Sequence, residues 1–264
     1  MEPITSTKNA RVRDLAGLSR ARTRRELGLH LVEGPNAVRE ALAAGLVTEV
    51  FVTPDAPIVT VPEGVAVTSV TDEVLAKLAD ATTPQGLVAV ARTPVASLAE
   101  VVGHGLLVVL DAVADPGNAG TILRTADAAG ASGVVLTAGS VDPYSPKAVR
   151  SAAGSTYHLP VVTGVRLDEL ASACRAAGQR VLGLDGAAPD DVRSLERGGR
   201  PVALVLGNEA HGLPAAATDH LDGLVAVPIH GRAESLNVAA AAAIAIYAAA
   251  RGLREVSAPT PGHR

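Results

Sequence analysis

Residues 227–251, VPIHGRAESLNVAAAAAIAIYAAAR, set Arg232, Glu234, Ser235 and Asn237 against the start of an alanine-dense helix. One helix start needs one capping acceptor for its unpaired N–H groups, and either Ser235 or Asn237 could serve. The polar groups left over exceed what a cap uses. Two other segments share this character. LVVLDAVADPGNAGTILRTADAAGASGVVL turns through Asp115-Pro116-Gly117-Asn118 and carries Arg124 into the helix that follows. PVALVLGNEAHGLP leaves an apolar run through Gly207-Asn208-Glu209. A guanidinium, a carboxylate, amides and a hydroxyl can orient two reactants, balance developing charge and hold a polar cofactor. They do not make a cysteine-based zinc site, because Cys174 is the single cysteine. The glycine-rich turn after Asp115 has neither the spacing of a dinucleotide fingerprint nor the Lys-Ser/Thr of a Walker loop.

These clusters need elements that bring them together. From Leu106 on, LLVVLD, GVVLTA, QRVLGLDG, PVALVLGNE and GLVAVPI are unbroken apolar runs. Such runs read as strands buried on both faces, hence a parallel sheet covered by helices. The helices are expected at about Ala119–Ala129, Ser145–Ala152, Leu167–Ala177, Pro214–Thr218 and Leu236–Arg251. Residues 98–254 therefore read as a doubly wound α/β domain, in which ligands bind at the carboxyl ends of strands. All three polar clusters follow such ends, so one crevice should collect them. Upstream, a short strand, a helix over Pro35–Ala44, a strand at Val47–Thr53, a helix over Thr71–Ala79 and a strand at Gly86–Ala91 make a small α/β domain, residues 1–97. The tail EVSAPTPGHR, residues 255–264, is expected to be disordered.

The net charge of −4 does not advertise a nucleic-acid partner, and 2% aromatic residues weigh against stacking platforms for bases. The charge is uneven, however. Residues 1–30 hold seven Lys and Arg against three Asp and Glu, with Arg20, Arg22, Arg24 and Arg25 in one run. That run either faces phosphates or is a solvated helix face. No apolar run is long enough to span a membrane, the N-terminus is charged, and the lone Cys174, read as buried filler, fits a cytoplasmic protein.

The three clusters resemble the three motifs of the SpoU, or TrmH-like, RNA ribose 2′-O-methyltransferases. PGNAGTILRTADAAGASGVVL is similar to the first motif, LVLGNEAHGL to the second and VPIHGRAESLNVAAAAAIAIY to the third. DPYSPKAVRSAAGSTYHLPV resembles the connecting segment, and LVEGPNAVREALAAG with DATTPQGLVAV resembles the family's small, L30e-like substrate-binding domain. The resemblance implies a C-terminal domain of the SPOUT class, closed by a deep trefoil knot. It further implies S-adenosyl-L-methionine held bent by the knotted loops, and a homodimer with the active site at the subunit interface.

Carried onto this chain, the cofactor-binding residues would be Thr137, Gly139, Leu206, Gly207, Asn208, Val227, Ile229, Ser235, Leu236 and Asn237. Gly139 and Gly207 are expected where a side chain would strike the ligand. Asn118, Arg124, Glu209, Ser235 and Asn237 match the polar positions of the catalytic centre. Methyl transfer from a sulfonium is an in-line displacement that needs alignment and loss of a hydroxyl proton, but no metal. Arg124 is expected to hold the target phosphate and stabilise developing charge, since a guanidinium with pKa above about 12 is a poor base. His211 and His230 lie near the same loops, but the family pattern does not require them. The RNA-contacting set would comprise Arg20, Arg22, Arg24, Arg25, Arg124 and Arg150. The Val238–Ala250 helix fits the dimer contact, with burial inside one chain as the other reading. By analogy with the family, the resemblance to members carrying the extra N-terminal domain favours 23S ribosomal RNA over tRNA. A tRNA 2′-O-methyltransferase and a non-catalytic RNA-binding protein of the same fold are the alternatives.

Overall fold

The computed structural model describes residues 3–197 and 199–257. Described residues up to Pro94 form one compact unit together with Asp142–His158, and Val95–Val141 with the residues from Leu159 on form the other. By contacts, residues 142–158 thus group with the first unit, whereas the expected division places all of 98–254 in the second domain.

In the first unit, strands β1 (Leu29–Glu33), β2 (Val47–Val52), β3 (Ala66–Ser69) and β4 (Leu87–Arg92) form a sheet of order β1-β4-β2-β3. Side chains alternate across β4. Val88 and Val90 join one core with Val12, Leu15, Leu18, Phe51, Val74 and Leu78. Leu87, Ala89 and Ala91 join another with Val38, Ala41, Leu42 and Val149. Helices cover the two faces accordingly. α1 (Ala10–Ala16) is capped by the Asn9 side chain, α2 (Ala21–Leu27) stops at left-handed Gly28, and α3 (Pro35–Ala43) starts on a proline. α4 (Asp72–Leu78) is capped by Thr71.

Polar contacts bind residues 142–158 into this unit. Arg24 is 4% exposed, and its guanidinium donates to Asp142 Oδ2 at 2.8 Å and to the carbonyls of Leu18 at 2.7 Å and Ser19 at 2.9 Å. Arg24 is therefore a core cation and cannot face RNA phosphates, contrary to expectation. Fully buried His30 meets the Tyr157 hydroxyl through Nε2 at 2.9 Å and Thr93 Oγ1 through Nδ1 at 3.3 Å.

The second unit is built on β5 (Leu106–Leu110), β6 (Gly133–Thr137), β7 (Val161–Val165), β8 (Arg180–Leu184), β9 (Asp190–Asp191), β10 (Val202–Leu206) and β11 (Gly223–Ala226). The order is β7-β6-β5-β10-β8-β11-β9, and every pairing is parallel. All residues of β5, β6 and β10 are buried, as the unbroken apolar runs require. Helices α5 (Leu98–Val101), α6 (Pro116–Ala129), α8 (Leu167–Ala176), α9 (Ala215–Thr218) and α10 (Val238–Ser257) complete the unit, α7 being Pro146–Ala152 of the first. Cys174 is buried in this core.

α10 packs on α6 and on the 3₁₀ segment Val192–Arg197. Any side chain at Gly252 would strike the Leu195 carbonyl, so glycine permits that approach. Residues 255–257, expected in a disordered tail, continue α10, and the remainder of that tail lies outside the described residues. No helix among the described residues is long and apolar enough to cross a membrane.

Burial pushes the His30 pKa from 6.5 down to about 4, with Asp142 opposing and Arg24 assisting. The folded pKa lies below the unfolded one, so the unfolded chain takes the proton first. Stability should thus fall as pH drops from 6.5 towards 4, by ~3 kcal/mol from this residue. Denaturant titrations of wild type and His30→Gln should show the gap between them closing across that interval. Parallel pH profiles would remove His30 as the cause.

Candidate active site

The sheet order sets β5 beside β10 and β10 beside β8, with β11 next. The carboxyl ends of β10, β8 and β11 open on a cavity of about 300 Å³, a volume at the small end of ligand sites. Of the expected cofactor residues, Leu206, Gly207, Asn208, Val227, Ile229, Ser235 and Leu236 line it. So do Leu184 at the end of β8 and Gly186 just beyond it, neither of which is among the expected cofactor residues. The glycine directly after the QRVLGLD run was an available signal. Thr137, Gly139 and Asn237 do not line this cavity; Thr137 ends β6 and Gly139 follows it, on the far side of β5, while Asn237 sits at the start of α10.

A hydrogen-bonded chain links three strand exits. The Glu209 carboxylate accepts the N–H groups of Ala114 and Asp115, each at 3.1 Å, and Asn118 Nδ2 at 3.0 Å. Asn237 Nδ2 donates to Asn118 Oδ1 at 3.2 Å. Asn237 Oδ1 accepts from Ala239 N at 2.8 Å, so the same amide caps α10. Partial burial pushes the Glu209 pKa up. Hydrogen bonds from Asn118 and the backbone outweigh this and hold it below the ordinary carboxylate value, so Glu209 is an anion at neutral pH. Glu209, Asn118 and Asn237 are thus brought together.

Ser235 lines the cavity, and of the two candidate caps it is Asn237 that caps α10. Arg124 is exposed on α6 and makes no hydrogen bond or ion pair among the described residues. It is available to an external anion. His211 Nδ1 lies 3.2 Å from Asn208 Oδ1, while His230 stands on the exposed 227–236 loop.

The glycines have causes other than a ligand. A Cβ at Gly207 would sit 2.5 Å from the Gly212 carbonyl, so a close backbone approach within the 208–212 turn excludes a side chain. Gly139 has φ +95° with open space around it, so conformation selects glycine there. Between them lies Ala112, a non-glycine at φ 55°. That left-handed conformation costs about 1–2 kcal/mol.

Two of the remaining expected RNA-contacting arginines already have partners. Arg150 is paired with Asp80 at 3.1 Å and Glu33 at 3.6 Å, and so does not offer a free charge to phosphate. Arg22 pairs with Glu26 at 2.7 Å across an exposed helix turn, where such pairs are weak. Arg20 and Arg25 are exposed.

The model of the SpoU rRNA Methylase family matches residues 105–247, which contain the cavity and the Glu209–Asn118–Asn237 chain. The chain belongs to this family. An MRM3-like substrate binding domain matches residues 9–89. Among relatives, the chain is 37% identical over 252 residues to the 23S rRNA (guanosine(2553)-2′-O)-methyltransferase RlmP of Bacillus subtilis, covering 94% of this chain and 98% of that one. The AdoMet-bound rRNA methyltransferase from Sinorhizobium meliloti superposes with a TM-score of 0.84 at 31% identity, over 95% of this chain and 97% of that one. The SpoU methyltransferase AviRb of Streptomyces viridochromogenes, in complex with AdoMet, gives 0.82 at 30% identity, over 96% and 100%.

S-adenosyl-L-methionine is the family's cofactor, and the residues present fit it. Leu184, Leu206, Val227, Ile229 and Leu236 offer apolar surface to an adenine ring and methylene groups. The 227–236 backbone makes no backbone–backbone hydrogen bonds among the described residues, so its N–H and C=O groups stand open to the polar edges of such a ligand.

Asn237→Ala removes both the α10 cap and the link to Asn118. It should cost about 1–2 kcal/mol in denaturant unfolding and weaken S-adenosylhomocysteine binding by calorimetry. Unchanged stability and affinity would contradict the double role of Asn237.

Proposed function

We propose that this protein transfers a methyl group from S-adenosyl-L-methionine to a ribose 2′-hydroxyl of 23S rRNA, in the cytoplasm. The observation that carries the reading is the Glu209–Asn118–Asn237 chain beside an apolar cavity, in a chain collinear with a 23S rRNA 2′-O-methyltransferase over 252 residues. The cofactor supplies an activated methyl, so the protein's work is alignment and charge management. Leu184, Gly186, Leu206 and the 227–236 loop hold the donor at the strand ends. Glu209 and Asn118 fix the start of α6, and Arg124 on that helix meets the phosphate beside the target ribose and stabilises the developing oxyanion as the hydroxyl proton passes to solvent water. The knotted chain path implied by the resemblance belongs to the same proposal. Arg20, Arg22 and Arg25, without Arg24, are the cations of the basic lead that extend RNA binding.

The catalytic test compares wild type and Arg124→Ala on unmodified 23S rRNA transcript. Methylation should be lost in the variant, while S-adenosylhomocysteine affinity stays within about twofold, because Arg124 faces the acceptor. An active Arg124→Ala enzyme would overturn the assignment.

The active assembly is proposed as a homodimer, as the family resemblance implies. On α10, Ala242 and Ile246 are fully buried within the chain, so the monomer uses that face itself. Ile244 and Tyr247, 45% and 53% exposed, leave an apolar stripe on the other face. Ile244→Glu should therefore give a folded monomer in sedimentation where wild type is a dimer. A monomeric wild type at micromolar concentration would exclude this assembly.

A further inference from the structure

Ala112, directly after β5 and Asp111, is held from two sides. From the turn after β10, Asn208 Nδ2 donates to the Ala112 carbonyl at 2.9 Å. From β6, Thr137 Oγ1 accepts the Ala112 N–H at 3.3 Å and donates to Asp111 Oδ1 at 2.8 Å. Thr137 is 4% exposed, so this hydroxyl is a buried group whose partners are internal ones. Two residues beyond Ala112 begin the backbone N–H groups that dock on Glu209, and Asn118 follows. The left-handed residue sets the direction in which the chain leaves the sheet. Without a clamp, alanine would relax to φ below zero, and the N–H groups of Ala114 and Asp115 would swing away from the carboxylate.

We propose that Thr137 is a positioning residue for the acceptor side of the site. Its hydroxyl, with the Asn208 amide, holds Ala112 left-handed and so aims Ala114, Asp115 and Asn118 at Glu209. It acts from the far side of β5 and touches no donor. This moves Thr137 out of the cofactor set expected for it, and it makes the β6 exit part of the machinery that sets α6 and Arg124. Only the kinetic part of the test rests on the proposed methyl transfer.

The test uses the full chain with Thr137→Val, Thr137→Ser and the double variant Thr137→Val/Ala112→Gly. Amide hydrogen exchange at Ala114 and Asp115 should be about tenfold faster in Thr137→Val and near wild type in Thr137→Ser. The double variant should recover most of the protection, because glycine adopts positive φ without a clamp. On 23S rRNA transcript, kcat should follow the same order, falling about tenfold in Thr137→Val. S-adenosylhomocysteine affinity should be unchanged in all three. If Thr137→Val does not fold, Thr137→Ala removes the same hydroxyl and carries the same comparison.

Unchanged exchange in the variant lacking the hydroxyl would overturn the proposal, as would a double variant that stays unprotected. A fall in S-adenosylhomocysteine affinity with exchange intact would return Thr137 to the cofactor and equally overturn it. A wild type that does not methylate the transcript counts against the proposed function, and the exchange series then decides the role of Thr137 alone.

Discussion

A carboxylate surrounded by donors is a strong local constraint, and Glu209 is such a group. Its two oxygens take two backbone N–H groups and a side-chain amide from the turn that opens α6. Charge-assisted hydrogen bonds of this kind are roughly twice as strong as neutral ones. The interaction exists only because parallel pairing sets the ends of β5 and β10 side by side. One residue of register slip would move Glu209 to another height and face. The apolar pairing of two buried strands therefore determines the geometry of polar groups beyond them. Asn118 then passes the constraint to Asn237, and through it to the first turn of α10.

In the proposed reading the site divides into a donor half and an acceptor half, and different forces shape them. The donor half is an apolar wall with open backbone, made from the exits of β8, β10 and β11. A half built in this way would recognise by shape and by main-chain groups. The acceptor half is a network of named side chains on a strained turn, where the αL conformation of Ala112 is stabilised by its neighbours. Strain at such a point is stable only where the surroundings over-determine it. Thr137 supplies that surrounding from the end of β6, and Asn208 from the turn after β10, on the two sides of β5.

Much of this was legible in the sequence because buried parallel strands write themselves as unbroken apolar runs. Polar residues after those runs mark strand exits. Asn118, Glu209 and Asn237 were visible for that reason. Leu184 and Gly186 were missed because their place depends on β8 lying next to β10, which pairing decides and local pattern does not. Arg24 shows the opposite failure. Its neighbours Arg22 and Arg25 are exposed, and nothing in a run of arginines says which one turns inward. Asp142, which selects it, lies 118 residues away. The same long-range packing carries 142–158 into the first unit, so the chain passes between the units after Pro94, after Val141 and after His158. A boundary drawn from composition shifts finds only the first of these.

The polar density ahead of α10 follows from what that helix must do at its two faces and its start. Alanines at 239, 242, 245, 248 and 249 are buried, which lets the helix lie close to α6. Gly252 does the same against the Leu195 carbonyl. Close packing leaves the helix little freedom to slide, so its first turn becomes a fixed point beside the cavity. Asn237 uses that fixed point twice, through Oδ1 on the helix and through Nδ2 on Asn118. A cap on a loosely packed helix could satisfy N–H groups but could not hold Asn118 in place. The bland helix and the chemically dense turn are thus one device. The small side chains supply the rigidity, and the amide converts it into a position for the acceptor side of the site.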